Sequence, residues 1–390
     1  MMACLAFCLA GCAIAPTGNS TAESSSPSAR QPVAVAPAPV VTPTITAAKP
    51  VIPPPPKTPP PVRISPPPVV SPYTNNYHPV VQFNQPPSVV FKSTPAPTVT
   101  TWTSLDHWAQ ENGVGAPRRL SSTPVVSYAI GSQHGVMIVY IGSHDATWNG
   151  TLIHLGFPPE IADDQIFVHS LDLEKNFAPL LCKTISLPEL HHIIVIDPGH
   201  GGREPGANSA VDGRPEKAFT LDWARRLAPL LEDRGWQVYL TRTNDSDIGV
   251  TNRAAFAVAH GADLFISLHF NSSYPDHKQA GLETYCLTPT GMPSTITRGY
   301  PDILSRTFPA NAYDQESLWL ALRLQTSILR ATGEEDRGVR RARFLGVLQG
   351  QHCPAVLIEG AYLSNPREAD RIENGDYRQK LAEAVANALR

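Results

Sequence analysis

The second half of the chain alternates regularly between apolar and amphipathic segments. From Leu187 onward, apolar runs of four to six residues alternate with amphipathic stretches of 9 to 18 residues. The runs predict β-strands at Ile193–Ile196, Gln237–Leu240, Leu264–Leu268, Leu282–Leu287 and Ala355–Ile358. The stretches predict helices at Glu216–Glu232, Thr251–Ala259, Gln315–Thr332 and Gln379–Leu389. Residues 187–390 are therefore predicted to form an α/β domain, with a mixed, largely parallel sheet and helices on both faces.

Residues 101–186 have shorter and less regular runs. They predict a helix near Leu105–Trp108, strands at Val136–Ile141 and Ile166–His169, a turn at Trp148–Gly150 and a helix at Leu171–Leu181. This mixture predicts a small α+β accessory module that precedes the larger domain. Its histidines follow no ligand spacing, so we expect them to be surface or core residues.

The segment from residue 13 to residue 100 has no apolar periodicity. It contains 23 of the 40 prolines of the chain. Such a composition cannot bury a core and predicts a disordered linker, which at ~3.1 Å per residue would reach roughly 200 Å or more when extended. Its PxxP runs could also serve as ligands for a domain of the SH3 type, but a spacer fits the composition better.

The first twelve residues contain an apolar run that leads into Leu9–Cys12. This resembles the bacterial lipobox and predicts a signal segment at residues 1–12 with a lipid on Cys12, which would hold the protein to a membrane. A chance Gly-Cys pair is the alternative, since no Lys or Arg precedes the run. Because Ala13 is not acidic, we expect an outer-membrane lipoprotein in the periplasm. Cys182, Cys286 and Cys353 are expected to be unpaired thiols.

The charge of the chain is nearly balanced. Lys and Arg number 31, Asp and Glu number 34, and the net charge is -3. This balance argues against nucleic acid as a partner.

Two histidines follow predicted strands. His200 lies in a glycine-rich loop after the first strand, and His269 follows the strand Leu264–Leu268. Between them, Glu216 follows Pro215 at a predicted helix start. The carboxyl ends of parallel strands meet at one sheet edge, where ligands bind. Two His and one Glu there could hold one zinc ion with an open fourth position. Glu204, which is nearer to His200 in sequence, is the rival third ligand.

Glu359 follows the last predicted strand and should reach the same edge. A carboxylate that is not needed as a ligand can take a proton from water and pass it to a departing nitrogen. Glu359 is therefore the candidate catalytic residue of a hydrolase.

These residues belong to a longer series of motifs in a fixed order. The motifs are Ile196–Gly202, Pro205–Ala207, Glu216–Lys217, Leu240–Thr243, Arg253, Ala262–Asn271, Gly281–Tyr285, Arg337–Arg340, Pro354–Gly360 and Leu363–Asn365. The series resembles the N-acetylmuramoyl-L-alanine amidase family, also called amidase type 3. The resemblance implies one Zn²⁺ held by His200, Glu216 and His269, with Glu359 as the catalytic carboxylate. It also implies peptidoglycan as partner and substrate, cut between N-acetylmuramic acid and L-alanine.

Other residues of these motifs have less certain roles. Asn271, Arg337 and Arg340 are candidate substrate-binding residues; the two arginines could grip an acidic peptide or lie in a solvated turn. Phe270 stands where the family usually has a small residue and is expected to alter the floor of the groove. The resemblance also implies a possible form of control, because some members of the family carry a helical insertion that blocks the zinc until an activator removes it. Residues 286–316, the corresponding stretch, show no pattern of such a helix. This favours constitutive activity and leaves open whether a protein activator exists.

Two other functions fit the same resemblance. The domain could be a peptidoglycan-binding anchor that has lost catalysis, or a zinc hydrolase that acts on another amide. All four predicted site residues are present, which favours the enzyme.

Overall fold

The computed structural model describes residues 101–182, 192–296 and 301–390. The strands are β1 (Trp102–Ser104), β2 (Arg118–Ser121), β3 (Ser127–Ser132), β4 (Gly135–Tyr140), β5 (Asp145–Trp148), β6 (Thr151–His154), β7 (Glu160–Ala162), β8 (Gln165–His169), β9 (Ile193–Pro198), β10 (Gln237–Leu240), β11 (Leu264–Asn271), β12 (Leu282–Cys286), β13 (Asp336–Arg341) and β14 (Ala355–Tyr362). Cys12 and the proline-rich segment lie outside the described residues.

The α-helices are α1 (Leu105–Glu111), α2 (Ser170–Asp172), α3 (Ala178–Leu181), α4 (Glu216–Glu232), α5 (Val250–Ala259), α6 (Asp314–Thr332), α7 (Gly346–Gln349), α8 (Pro366–Glu373) and α9 (Gly375–Ala388). A π-helical turn at Leu173–Phe177 joins α2 to α3, and a 3₁₀ turn at Pro309–Tyr313 precedes α6. In the ranges that the structure describes, no helix has the length and apolar composition needed to cross a membrane.

The main sheet contains eleven strands in the order β10-β9-β11-β14-β12-β13-β6-β5-β4-β3-β2. Among the strands after residue 192, β10, β9, β11 and β14 run parallel to one another, and β12 runs antiparallel to β14. The predicted mixed, largely parallel sheet is therefore confirmed for this part of the chain.

Both faces of this sheet are covered by helices. Along β9, Ile194 and Ile196 pack into one buried cluster, whereas Val195 between them packs into another. The first cluster contains residues of α4, α6 and α9, and the second contains residues of α5 and α7. Successive side chains of a strand point to opposite faces, so a fully apolar strand requires cover on both sides.

The accessory module shares the same sheet. Strands β2 to β6 form an antiparallel meander, and β6 lies parallel to β13, with Ile153 opposite Val339. Strands β1, β8 and β7 form a second, three-stranded antiparallel sheet. The meander therefore lengthens the sheet of the larger domain at the β13 edge.

Buried polar contacts fix this junction. Asp336 Oδ2 accepts a hydrogen bond of 2.8 Å from the backbone N of Leu152. Arg341 is 1% exposed and donates to the backbone O of Lys175 at 2.9 Å and to Asn176 Oδ1 at 3.0 Å. Trp319 Nε1 on α6 donates to the backbone O of Pro179 at 3.0 Å.

Two cysteines lie in the core of the larger domain. Cys286 and Cys353 are buried and form no disulfide among the described residues, as the sequence predicts for them. Burial raises the pKa of the Cys286 and Cys353 thiols, to about 12 for Cys353, so both are held in the neutral form.

Candidate functional site

The loop after β9 carries His200 in a constrained backbone conformation. The φ angle of His200 is +60°, which non-glycine residues rarely adopt. Arg253 on α5 holds this loop: its Nη2 donates to the His200 carbonyl at 2.7 Å and its Nη1 to Asp197 Oδ1 at 2.6 Å. Burial alone would raise the pKa of Asp197, but the Arg253 charge and bonds from Thr241 and Ser267 hold that pKa below its usual value. The carboxylate therefore stays charged and keeps the loop in place.

The three predicted ligands converge beside this loop. Glu216 begins α4, and its Oε2 lies 3.1 Å from His200 Nε2 while its Oε1 lies 3.0 Å from His269 Nδ1. One ligand atom from each of the three residues lies within 4.8 Å of the other two. Two nitrogens and a carboxylate oxygen at this spacing could hold a metal ion.

Glu216 is fixed and charged in this cluster. The backbone N of Ala207 donates to its Oε2 and the backbone N of Phe270 to its Oε1, each at 3.0 Å. Burial acts to raise the pKa of Glu216, but the charges and hydrogen bonds of His200 and His269 outweigh it and hold that pKa far below its usual range. The carboxylate is therefore ionised, as a metal ligand must be.

Two glycines leave space for these side chains. A Cβ atom on Gly206 would lie 2.5 Å from Glu216 Oε2 and 2.7 Å from His200 Cδ2. A Cβ atom on Gly199 would overlap the His269 ring. The backbone thus approaches the cluster as closely as glycine allows.

Glu359 lies next to His269 on the neighbouring strand. The two residues are paired across β11 and β14, and Glu359 is also paired with Glu283 across β12. Its Oε2 is shielded from solvent and has no hydrogen-bond partner among the described residues. Burial, followed by the negative charges of Glu216 and Glu283, raises the pKa of Glu359 well above its usual value.

Asn271, Arg337 and Arg340 gather around Glu283, which is 3% exposed. Asn271 Nδ2 donates to Glu283 Oε2 at 2.9 Å, and Tyr285 Oη donates to the same oxygen at 2.6 Å. Arg337 Nε donates to Oε1 at 2.9 Å, and Arg340 Nε lies 3.0 Å from it. Both arginines therefore lie on strand β13, partly buried in ion pairs with Glu283, and not in a solvated turn.

Sequence reasoning gave Glu283 no role. One feature of the sequence could have drawn attention to it. Glu283 is an acidic residue in strand β12, whose other residues are apolar or carry a hydroxyl, and it lies inside the motif Gly281–Tyr285. A charge at such a position requires partners, but the motif Arg337–Arg340 that supplies them lies 54 residues further along the chain, so the sequence alone does not pair them.

The remaining sequence candidates lie elsewhere. Glu204 is exposed in the loop and does not belong to the His-Glu-His cluster. Phe270 is 1% exposed and packs on Phe219 and Trp223 beneath α4, so it does not alter the groove floor. Alternation along β11 explains this, because His269 and Phe270 point to opposite faces.

The cluster of His200, Glu216 and His269 and the shielded carboxyl of Glu359 lie at the carboxyl ends of the parallel strands. These are the parts of a metal-dependent hydrolase. The family model described as N-acetylmuramoyl-L-alanine amidase matches residues 194–390, just over half of the chain. The chain belongs to this family, and the enzyme class that the sequence predicts is confirmed.

Two individual relatives agree with this assignment. AmiA, an N-acetylmuramoyl-L-alanine amidase of Salmonella typhimurium, is 29% identical over 218 residues, covering 50% of this chain and 74% of that protein. CwlM, an amidase of Bacillus licheniformis with the same description, is 32% identical over 198 residues, covering 50% of this chain and 66% of that protein. An N-acetylmuramoyl-L-alanine amidase from Clostridium difficile 630 of known crystal structure is 30% identical with a TM-score of 0.42, covering 51% of this chain and 94% of that one.

Proposed function

We propose that this protein is a zinc-dependent hydrolase that cleaves the amide bond between N-acetylmuramic acid and L-alanine in peptidoglycan. The observation that carries the proposal is the convergence of His200, Glu216 and His269 beside Glu359. Membership of the amidase family indicates the reaction class. The donor atoms of the three residues indicate the metal.

The residues fit zinc. Two imidazole nitrogens and one carboxylate oxygen are a common set of protein ligands for catalytic zinc, which keeps another position open for water or substrate. The ionised state of Glu216 and the glycine-lined space around it suit such an ion. A zinc ion held there would polarise the amide carbonyl and stabilise negative charge on its oxygen.

Glu359 supplies the proton transfers. Its carboxyl lies on β14, the strand that pairs with the β11 strand of His269. Its Oε2 makes no hydrogen bond among the described residues, so it is available to water. In its ionised form, which the positive charge of a bound zinc ion would favour, it can accept a proton from the attacking water and deliver it to the amide nitrogen that departs. Asn271 on β11 and Arg337 and Arg340 on β13 can orient the peptide through the N–H groups that Glu283 does not engage.

Digestion of purified peptidoglycan sacculi tests the proposal. The zinc-loaded full chain should release peptides with free N-terminal L-alanine, and chelation should stop the release. No release by a protein with zinc bound would favour the anchor without catalysis, and cleavage of small amides but not of sacculi would favour another substrate.

The proposed location rests on the sequence of the first hundred residues. We propose that a lipid on Cys12 holds the enzyme to the outer membrane and that residues 13–100 let it reach the wall from the periplasm, for remodelling or separation of daughter cells. Cys12→Ser should move the protein from the membrane fraction to the soluble periplasmic fraction. An unchanged distribution would contradict the lipid anchor.

A further inference from the structure

Strand β14 contains a β-bulge directly after Glu359. The register pairs Glu359 with His269 on β11. The next pair is Tyr362 with Asn271, so three steps along β14 oppose two steps along β11. A bulge leaves backbone groups without partners in the ladder, bends the strand and redirects neighbouring side chains. The backbone that aims Glu359 therefore needs hydrogen-bond partners from outside the sheet.

Two side chains supply such partners. Glu368 on α8 accepts a hydrogen bond of 2.7 Å from the backbone N of Tyr362 through its Oε2. The hydroxyl of Tyr377 on α9 lies 3.0 Å from the backbone O of Gly360. Glu368 Oε1 accepts a further bond, at 2.9 Å, from the backbone N of Gly281, the residue before β12. The bulge and the start of β12 are therefore held by the same two helices.

Glu334, between α6 and β13, joins these two side chains. Its side chain is 1% exposed, and its Oε1 lies 2.9 Å from the Tyr377 hydroxyl. Arg371 Nη2 lies 2.9 Å from Glu334 Oε2 and 3.3 Å from Glu368 Oε1. Glu334 and Glu368, here called the acid pair, thus share one arginine.

The side chains around the acid pair carry little positive charge. Arg371 of α8 is 42% exposed, so water screens part of its charge. Tyr377 of α9 is neutral, because burial and then the charge of Glu334 raise the pKa of its hydroxyl. From β13, Arg337 lies beside residue 281 but donates to Glu283. One partly solvated cation cannot balance two buried negative charges, which favours one proton on the acid pair.

The count of hydrogen atoms leads to the same proton. A tyrosine hydroxyl has one hydrogen, but Tyr377 Oη has two oxygens in reach, Glu334 Oε1 and the carbonyl of Gly360. A proton on Glu334 Oε1 can be donated to Tyr377 Oη, which leaves the tyrosine hydrogen for Gly360. Burial, and also the charge and hydrogen bond of Glu334, raise the pKa of Glu368 to about 7. The acid pair therefore holds a proton up to neutral pH.

We propose that the acid pair and Tyr377 position the carboxyl of Glu359, and that their hold on β14 requires one proton on the pair. The proposal rests on the proposed amidase function and adds positioning residues to it. With the proton in place, Tyr377 donates to the Gly360 carbonyl and the bulge is fixed. When the pair releases that proton to solvent, Glu334 takes the tyrosine hydrogen and the carbonyl loses its donor.

Amide hydrogen exchange tests the contact with the bulge without relying on activity. In Glu368→Gln, an NH₂ group replaces one of the two accepting oxygens. Exchange at Tyr362 or at Gly281 should therefore become about tenfold faster or more. Glu160→Gln, at an exposed position of β7, is the matched control and should leave both rates as they are. Unchanged rates in Glu368→Gln would overturn the inference.

Tyr377→Phe tests the link to catalysis. Loss of the hydroxyl should lower kcat for a soluble muramoyl-peptide about 10- to 100-fold, because small displacements of a reacting group are costly. KM and zinc content should stay as they are. Tyr128→Phe, which removes a hydroxyl from β3 of the accessory module, should leave kcat unchanged. If KM rises or zinc is lost while kcat is retained, Tyr377 does not position Glu359.

Glu334→Gln tests the proton. Its amide can donate to Tyr377 and its oxygen can accept from Arg371, so the variant resembles the protonated pair at every pH. From pH 6 to pH 8 the wild-type kcat should fall by up to about tenfold as the pair ionises. The fall should be smaller in Glu334→Gln. The same pH profile for both proteins would contradict the need for a proton.

The two proposals fail in different ways. A zinc-loaded wild-type chain that releases no peptide would overturn the amidase function and the positioning role together. Normal release by the wild type, with unchanged kcat in Tyr377→Phe, would overturn the positioning role alone.

Discussion

At the scale of single residues, three carboxylates share one edge of the sheet, and their surroundings differ. Glu216 is balanced by two histidines, and Glu283 is balanced by Arg337 and Arg340. Glu359 lies beside both acids without a cation of its own among the described residues. Of the three, Glu359 is therefore the one whose proton can be exchanged during a reaction.

Replacing Glu359 by glutamine tests that role. Glu359→Gln keeps the shape of the side chain but cannot accept the proton, so kcat should fall about 10²- to 10⁴-fold. Zinc content, measured by atomic absorption, should stay at one per chain. Glu160→Gln, an exposed change on β7, is the control. Loss of zinc from Glu359→Gln would mean that this residue supports the metal instead.

Gly206 gives a second prediction at this scale. In Gly206→Ala the new Cβ would press on Glu216 Oε2 at 2.5 Å, so zinc affinity should fall about 10- to 100-fold. Gly213→Ala is a matched control, because Gly213 has a similar positive φ of +76° and open space around it. Both variants should lose some stability, but only Gly206→Ala should lose metal in a competition titration with a chelator. Equal zinc affinities would contradict the geometry.

Asp172 makes stability depend on pH. Burial raises the pKa of Asp172 from 3.8 to about 6, although hydrogen bonds from Gly156, Phe157 and Asn176 oppose that rise. Below about pH 4 the group is protonated in the folded and unfolded states, and above about pH 6 the folded protein must hold a buried charge. Its contribution to stability therefore falls as pH rises between these values, by about 3 kcal/mol for about two pKa units.

Urea unfolding of Asp172→Asn measures this contribution. The free energy of unfolding of the wild type, minus that of the variant, should fall by about 3 kcal/mol from pH 4 to pH 7. Asp164→Asn, at an exposed site, should give a constant difference. If the free energies of unfolding of the wild type and of Asp172→Asn change with pH in parallel, Asp172 has an ordinary pKa.

At the scale of elements, Arg341 joins β13 to the π-helical turn of the module. Arg341→Ala would leave the backbone O of Lys175 and the amide of Asn176 without their buried donor, which should cost about 2–4 kcal/mol of unfolding free energy. Arg323→Ala, on the exposed side of α6, should cost less than about 0.5 kcal/mol. A small effect for Arg341→Ala in urea unfolding would mean that water replaces its bonds.

The elements also show what the sequence could predict. Helix Glu216–Glu232 and strand Gln237–Leu240 have the predicted bounds, because each has an unbroken pattern of its own period. Strand β13 was not predicted, since Asp336–Arg341 contains four charged residues and a single apolar one. Ion pairs with Glu283 on β12 stabilise it, and such contacts between distant segments leave no local pattern.

The candidate site divides in the same way. His200, His269 and Glu359 could be found because each follows an apolar run, and runs of this kind become neighbouring strands. The partner of Arg337 and Arg340 could not, since it depends on the pairing of β12 with β13, whose residues are far apart in the sequence. The pairing of β6 with β13 could not be predicted either, because Leu152 and Asp336, which join the two strands, are 184 positions apart in the sequence.

At the scale of the whole molecule, the accessory module and the larger domain are joined by a continuous sheet and by buried side chains. Thr151 and Thr326 share a hydrogen bond of 2.7 Å between their hydroxyls, and Trp148 packs edge-on against Trp319. We therefore expect the two parts to unfold together rather than one after the other.

The pairing of β6 with β13 has a practical consequence for fragments of this chain. A catalytic fragment that begins at Leu187 would lack β6 and would present the backbone of β13 as an open edge. Unpaired strand edges promote association between copies. Such a fragment should form dimers or larger aggregates in size-exclusion chromatography, whereas a fragment that begins at Thr101 should stay monodisperse. A monodisperse fragment from Leu187 would show that the open edge of β13 does not promote association. If the fragment associates as expected, the solubility of the larger domain depends on the eight strands that precede residue 187.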